Sequence, residues 1–468
     1  MRAKRNSRVQ SSRTTSRASI AWSPADLPKL LLNTDDRDFY GRRIISSERS
    51  LDPKNYSQRL LVEAFAYLRE RVDEFATRQG TNWRDKLNEL VTWLVERLQI
   101  VSITVATEAD AFMIFETLND RGADLTIADL LKNFLFSKAK PRLDEVRDNW
   151  VRTLANLDID KVGNQRFTTF ARHLLSSKFG RTRERDVYGR LKTIVHDSPS
   201  AVAFAQELRD ASRIYYALLA SDSDVWGEFS AKTAEAAEVL VEMNLEQNRP
   251  LLLAVLMKFD RPEVERFLPA MVSWALRGLV AGTLGAGSAE AAFCDAARDV
   301  RSGKVSTTAG VLAQKGIDTL VPSDAVFEPL FADWRTTRGT LARYVLRTLE
   351  LERRGVPDPE LVVNEDVELV NLEHVLPKAA RSSEWPQFSS EDKALFVDRI
   401  GNMCLLQKGP NGRIGNKGWS VKRPVLAASR LLLTSEAAGA DDWTAATIAS
   451  RQHALANLAV RAWPRDPR

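Results

Sequence analysis

Residues 367–377 read Val-Glu-Leu-Val-Asn-Leu-Glu-His-Val-Leu-Pro, and residues 400–418 read Ile-Gly-Asn-Met-Cys-Leu-Leu-Gln-Lys-Gly-Pro-Asn-Gly-Arg-Ile-Gly-Asn-Lys-Gly. The first segment follows the breakers Pro357 and Pro359 and stops at Pro377. Its apolar-rich run predicts a strand over Val367–His374 that delivers Glu373 and His374 at its end. In the second segment Met403–Leu406 is a short apolar strand. Lys408–Gly418, with its glycines and proline, reads as a turn-rich connector. Between the strands a helix is expected over Ser390–Arg399, with Ser389 or Ser390 as N-cap, Glu391 and Asp392 in its first turn, and Gly401 as its end. A last helix is expected from an N-cap at Ser420 to about Leu432, with Pro424 tolerated near the first turn.

Strand, connector, strand, helix is the order of a ββα-metal finger. There a histidine ends the first strand and an asparagine at the helix start faces it. The chain has only four histidines, and His374 directly follows a carboxylate. A neutral imidazole can take a proton from water. Glu373 and Asn416 offer oxygen ligands to a hard divalent cation, Mg²⁺ or Mn²⁺. Asn411 and Asn416 lie five positions apart in the Gly-rich turn. Lys417, Lys422 and Arg423 are candidates for holding flanking DNA phosphates. Strand geometry limits this reading: neighbouring residues face opposite sides, so Glu373 and His374 share a site only at a frayed strand end. Taken alone, His374 reads better as a histidine satisfied at a strand end; order, spacing and residue type together point to chemistry.

Outside this segment helical periodicity dominates, and the expected fold class is mainly α. Leu60, Leu61, Ala64, Phe65, Tyr67 and Leu68 recur at helical spacing, and amphipathic or apolar runs cover Trp83–Leu98, Ala201–Leu219, Thr233–Leu245, Pro250–Lys258 and Pro262–Leu284. Ile100–Val105 is the best strand candidate of the first half. In residues 112–136, Asn119, Arg121 and Lys132 read either as a phosphate-handling cluster or as the polar surface of a helix–turn–helix capped at Thr126, and spacing favours the second. His173 and His196 lack partners at ligand spacing and read as surface or packing histidines. The expected division is a basic disordered tail (1–20), a region over 21–140, a helical domain (141–349) and a nuclease-like domain (350–468).

The 468 residues are 44% hydrophobic, enough for sizeable cores. Two cysteines, Cys294 and Cys404, exclude a disulfide framework and a four-cysteine zinc site, which fits a cytoplasmic setting. The net charge of +5 and pI of about 9.1 lean toward a polyanionic partner. Residues 1–20 lack the apolar run of a signal peptide. The most apolar stretch, Phe267–Ala286, contains Pro269, Arg277 and glycines, and reads as a buried helix rather than a membrane span.

The landmarks NLEHVLPK, Trp385, IGNMCLLQKGPNGRIGNKGWSVKR, SRLLLT, Trp443, Ile448, Arg451 and Trp463-Pro464 appear in order, and together this segment resembles the DUF1524 domain of the HNH/His-Me finger nucleases. FETLNDRGADLTIADLLKNFLF independently resembles the later part of the DUF262 domain. The pair is characteristic of GmrSD-type restriction endonucleases, which are modification-dependent (Type IV) enzymes of phage defence. The resemblance implies metal-dependent hydrolysis of DNA phosphodiesters, with His374 as general base, Glu373 and Asn416 near the metal, and Asn411 shaping the catalytic loop. The alternative is a catalytically inactive DNA- or protein-binding helical module. No Asp-Gly-Gln-Gln-Arg motif is present. This argues against nucleotide dependence and assigns no nucleotide-binding residue. The DUF262-like match is expected to begin near Leu30–Asp38, as in a truncated member. The partners implied are DNA, modified DNA included, with a second copy of the chain or a missing N-terminal domain as protein partners.

Overall fold

The computed structural model describes residues 32, 34–48, 50–97, 127–158, 164–285, 287–355 and 370–466. They belong to two compact units, residues 1–102 and 103–468. In the first, α1 (Thr34–Phe39) continues through a π-helical turn (Tyr40–Ile45) and precedes α2 (Tyr56–Gln79) and α3 (Trp83–Arg97). α2 starts where the Asn55 side chain accepts the Gln58 amide at 2.8 Å. The expected strand at Ile100–Val105 and the turn carrying Asn119 and Arg121 lie outside the described residues.

The second unit is mainly α, as its periodicity predicts. Its described residues begin with α4 (Ile127–Lys138), α5 (Leu143–Asn156), α6 (Asn164–Phe179), α7 (Val187–Lys192) and α8 (Ser198–Ala217). Next come α9 (Ala231–Met243), α10 (Arg249–Lys258), α11 (Arg261–Ala281) and α12 (Ser288–Arg301). Short helices α13 (Thr308–Leu312), α14 (Lys315–Leu320) and α15 (Asp324–Asp333) lead to α16 (Gly339–Arg354). Local chemistry sets several starts. Asp197 accepts the Ser200 amide at 2.9 Å with Pro199 in the first turn of α8, and Asp260 accepts the Glu263 amide at 3.0 Å to open α11. α11 holds the apolar stretch as far as Ala281, where Gly282 ends the helix, and is a core helix. Its buried Arg277 donates to the carbonyls of Trp463 (2.6 Å) and Pro322 (2.9 Å) and to Asp324 (2.5 Å). No helix of the described residues is long and apolar enough to cross a membrane.

The C-terminal part contains β1 (Val370–His374), α17 (Ser390–Phe396), β2 (Met403–Gln407), α18 (Lys408–Ile414), α19 (Trp419–Ala427), α20 (Leu432–Ala437) and α21 (Ala445–Ala462). β1 and β2 pair antiparallel, Val370 opposite Gln407 and His374 opposite Met403. Both strands fall where the sequence places them, β1 over the described part of its expected span. Ser389 caps α17 in a reciprocal capping box with Asp392.

Three local expectations change. The expected turn at Lys408–Gly418 contains α18, because Pro410 sits in a first turn that needs no amide donor there. α19 starts before Ser420 and takes Pro424 into its interior; the Glu384 carboxylate accepts the Gly418 amide at 2.9 Å just ahead of it. That helix stops at Ala427 rather than reaching Leu432. The buried Glu350 of α16 accepts the amides of Leu432 (2.7 Å) and Leu433 (2.8 Å) and so starts α20 as a separate helix.

β2 is buried on both faces. Met403 and Leu405 join the large core, which runs from α4 through α16 into Val370, Leu455 and Trp463. Cys404 and Leu406 join a smaller cluster with Val375, Leu376, Trp385, Trp419 and Trp443. The alternation is that of a strand set between two cores.

Candidate active site

β1 ends at His374, and the chain must then turn away from the sheet. Asn402 fixes that turn. Its backbone carbonyl accepts the Val375 amide at 2.9 Å, its side-chain oxygen accepts the Leu376 amide at 2.8 Å, and its side-chain amide donates to the carbonyls of Leu376 (2.9 Å) and Val397 (3.0 Å). The indole of the buried Trp443 donates to the same side-chain oxygen at 3.0 Å. Asn402 is fully buried, and its side-chain bonds to Leu376 and Trp443 are closed to water. Asn402→Leu keeps the volume but strands the Leu376 amide and the Trp443 indole. We expect it to destabilise the chain by about 4 kcal/mol, and urea unfolding at an unchanged m-value measures this.

The neighbouring Gly401 has a steric reason. A Cβ there would lie 2.5 Å from the Ile448 carbonyl and 2.8 Å from Gln452 Cβ on α21. Arg451 of α21 completes the clasp, donating to the carbonyls of Gly401 (2.7 Å), Met403 (2.9 Å) and Leu433 (3.1 Å).

Glu373 and His374 diverge, as strand geometry requires. Glu373 is 7% exposed, and its carboxylate accepts a short hydrogen bond from Lys422 Nζ of α19. Lys422 is wholly buried, donates at 2.9 Å to the backbone carbonyl of His374, and lies 5.9 Å from the centre of the Trp385 ring. Burial pushes the Glu373 carboxyl up and the Lys422 ammonium down, and their mutual attraction opposes both shifts. This pairing bears on two of the sequence expectations. Lys422 cannot reach a DNA phosphate, because it is the internal partner of Glu373. One oxygen of the Glu373 carboxylate, Oε1, is taken by that ammonium.

The imidazole of His374 turns toward Asp398. Its side chain is 17% exposed, and Nε2 lies 3.8 Å from Asp398 Oδ1. Lys378 Nζ is 3.2 Å from the same carboxylate oxygen. Nε2 is buried with no hydrogen-bond partner. Burial lowers the pKa of the imidazole to about 4; Lys378 adds to the effect and Asp398 opposes it. The ring is neutral at pH 7 and can accept a proton. Asp398 was not singled out by the sequence reading, because an isolated aspartate before Arg-Ile-Gly carries no spacing signal.

The remaining candidates lie after β2. Asn411 is half-buried on α18, where its carbonyl accepts the Gly415 amide at 3.2 Å. Asn416 is exposed, and its carbonyl accepts the Trp385 indole N–H at 3.4 Å. Lys417 is exposed. Arg423 on α19 donates to the Ala438 carbonyl at 3.1 Å and to Asp441 at 3.3 Å. Among the described residues no group of three or more His, Cys, Asp or Glu side chains is arranged to hold a metal ion. Elsewhere, His173 is buried against the Tyr215 hydroxyl at 2.8 Å and His196 is exposed.

Glu373, His374, Lys378, Asp398, Asn402, Asn411, Asn416, Lys417, Lys422 and Arg423 all lie within a stretch, 321–458, that matches the family described as GmrSD restriction endonucleases, C-terminal domain. Residues 9–136 match GmrSD restriction endonuclease, N-terminal domain, from well ahead of the start expected near Leu30. A comparison with curated proteins gave no match. With both domain matches present in the order of the family's name, the chain belongs to the GmrSD restriction endonuclease family.

Proposed function

We propose that this chain is a cytoplasmic DNA endonuclease of phage defence that hydrolyses phosphodiester bonds at an HNH-type ββα finger built from β1, β2 and α18. The observation that carries the reading is His374: a neutral imidazole at a strand end, one ring nitrogen buried without a hydrogen-bond partner, held by a turn that Asn402 locks. In the reaction His374 takes a proton from water as the water oxygen bonds to phosphorus. The bond from phosphorus to the leaving oxygen breaks, and that oxygen is protonated from solvent.

A divalent cation, Mg²⁺ or Mn²⁺, when bound would neutralise charge on the phosphate and leaving oxygens. Glu373 fits poorly as its ligand, since Lys422 takes Oε1 of its buried carboxylate. The exposed Asn416 amide fits better, since Mg²⁺ keeps most of its water and takes few protein oxygens. The exposed Lys417 is suited to a flanking phosphate.

The test is cleavage of unmodified and modified duplex DNA by the full chain in Mg²⁺, Mn²⁺ or EDTA. We expect product with either cation and none in EDTA. DNA binding without cleavage under every cation would replace this reading with a binding module.

A further inference from the structure

Asp398 lies outside the site derived from sequence, and the inference about it rests on the nuclease reading of His374. We propose that Asp398 is a positioning residue: its carboxylate accepts the Nε2–H of His374, so that Nδ1 is left as the atom that takes the proton.

Three observations support this. Asp398 Oδ1 and His374 Nε2 face each other at 3.8 Å; both atoms are buried and make no hydrogen bond, and the neighbour of Oδ1 is Lys378 in an ion pair at 3.2 Å. A small side-chain rotation closes that gap, and catalytic hydrogen bonds are commonly long before substrate arrives. Second, the backbone of Asp398 is held from outside the finger. Its carbonyl accepts the Thr336 amide at 2.9 Å, Arg335 pairs with Arg399 in an antiparallel bridge, and Arg399 bonds Asp333 at 3.0 Å. Third, the Asn402 amide donates to the Arg399 carbonyl at 2.9 Å, so the residue that locks the turn after His374 also fixes the turn carrying Asp398. A carboxylate on one ring nitrogen sets which tautomer the other presents. Lys378 Nζ lies 3.2 Å from Oδ1, with its own side chain largely in solvent.

The experiment uses the full chain labelled with ¹⁵N-histidine. There are four histidines, and the His374 signals are those lost in His374→Gln. At pH 7.5 we expect the Nε2–H tautomer of His374 in the wild type. Asp398→Ala should give mixed tautomers, and the isosteric Asp398→Asn, which can turn its amide N–H toward Nε2, should shift the population to Nδ1–H. Both should lower kcat about 10- to 100-fold with little change in KM. In a His374→Ala background Asp398→Ala should cost nothing further. The proposal is overturned if Asp398→Asn folds with the wild-type tautomer and rate, or if Asp398→Ala costs the same factor with and without His374. A tautomer shift in a protein that cuts DNA with no divalent cation supports the positioning and sinks the nuclease reading instead.

Discussion

His374→Ala is expected to lower DNA cleavage about 10³-fold, the usual weight of a positioned general base, while leaving the unfolding midpoint close to wild type. The two readouts separate because of what the imidazole does in the fold. Its Nε2 lies 3.8 Å from Asp398 Oδ1, too far for a strong bond, and the strand end is fixed through the His374 backbone carbonyl, which accepts from Lys422 and is kept by alanine. Removing the ring therefore deletes chemistry and leaves the clamp. Cleavage that survives His374→Ala would remove His374 as the base.

The wild-type pH dependence follows from the same environment. The active form is the neutral ring, and burial has moved its pKa from 6.5 down to about 4. The acid limb of the rate profile should fall below pH 5 rather than near 6.5; a midpoint at 6.5 would show a solvated imidazole. The effect on stability has a definite sign. A histidine depressed in the folded state binds its proton more tightly when unfolded, so stability is gained as pH rises from about 4 to 6.5 and lost on the way down.

The hairpin was legible because each strand is a short apolar run closed by Pro or Gly, and β2 alternates between two cores exactly as a period of two requires only once both cores exist. His374 was legible as the residue at a strand end. What local pattern could not reveal were partners chosen by tertiary packing. Glu350 starts a helix 82 residues downstream, Lys422 meets Glu373 across 49 residues, and Asp398 reaches His374 because a turn held by Asn402 and Thr336 brings it back. A lysine in an amphipathic basic run reads as solvated and phosphate-facing. Its burial here follows from the indole and carboxylate that receive it, and neither is a neighbour in sequence.

Lys422→Met is expected to destabilise the chain by about 3–5 kcal/mol, because it leaves the Glu373 carboxylate buried without its donor. Methionine preserves most of the lysine stem, so the loss is electrostatic more than steric. Replacing both members, as Glu373→Leu with Lys422→Met, should recover most of that stability, since an apolar pair of similar volume has no charge to desolvate. Denaturant midpoints of the two single variants and the double variant measure the coupling; a Lys422→Met protein as stable as wild type would dissolve the pair. The double variant also decides the role of Glu373. If its carboxylate serves only Lys422, the stable double variant should cleave DNA within about 10-fold of wild type, the modest cost of a loosened outer support. A loss of cleavage as deep as that of His374→Ala, in a protein that still folds, would instead place Glu373 at the cation.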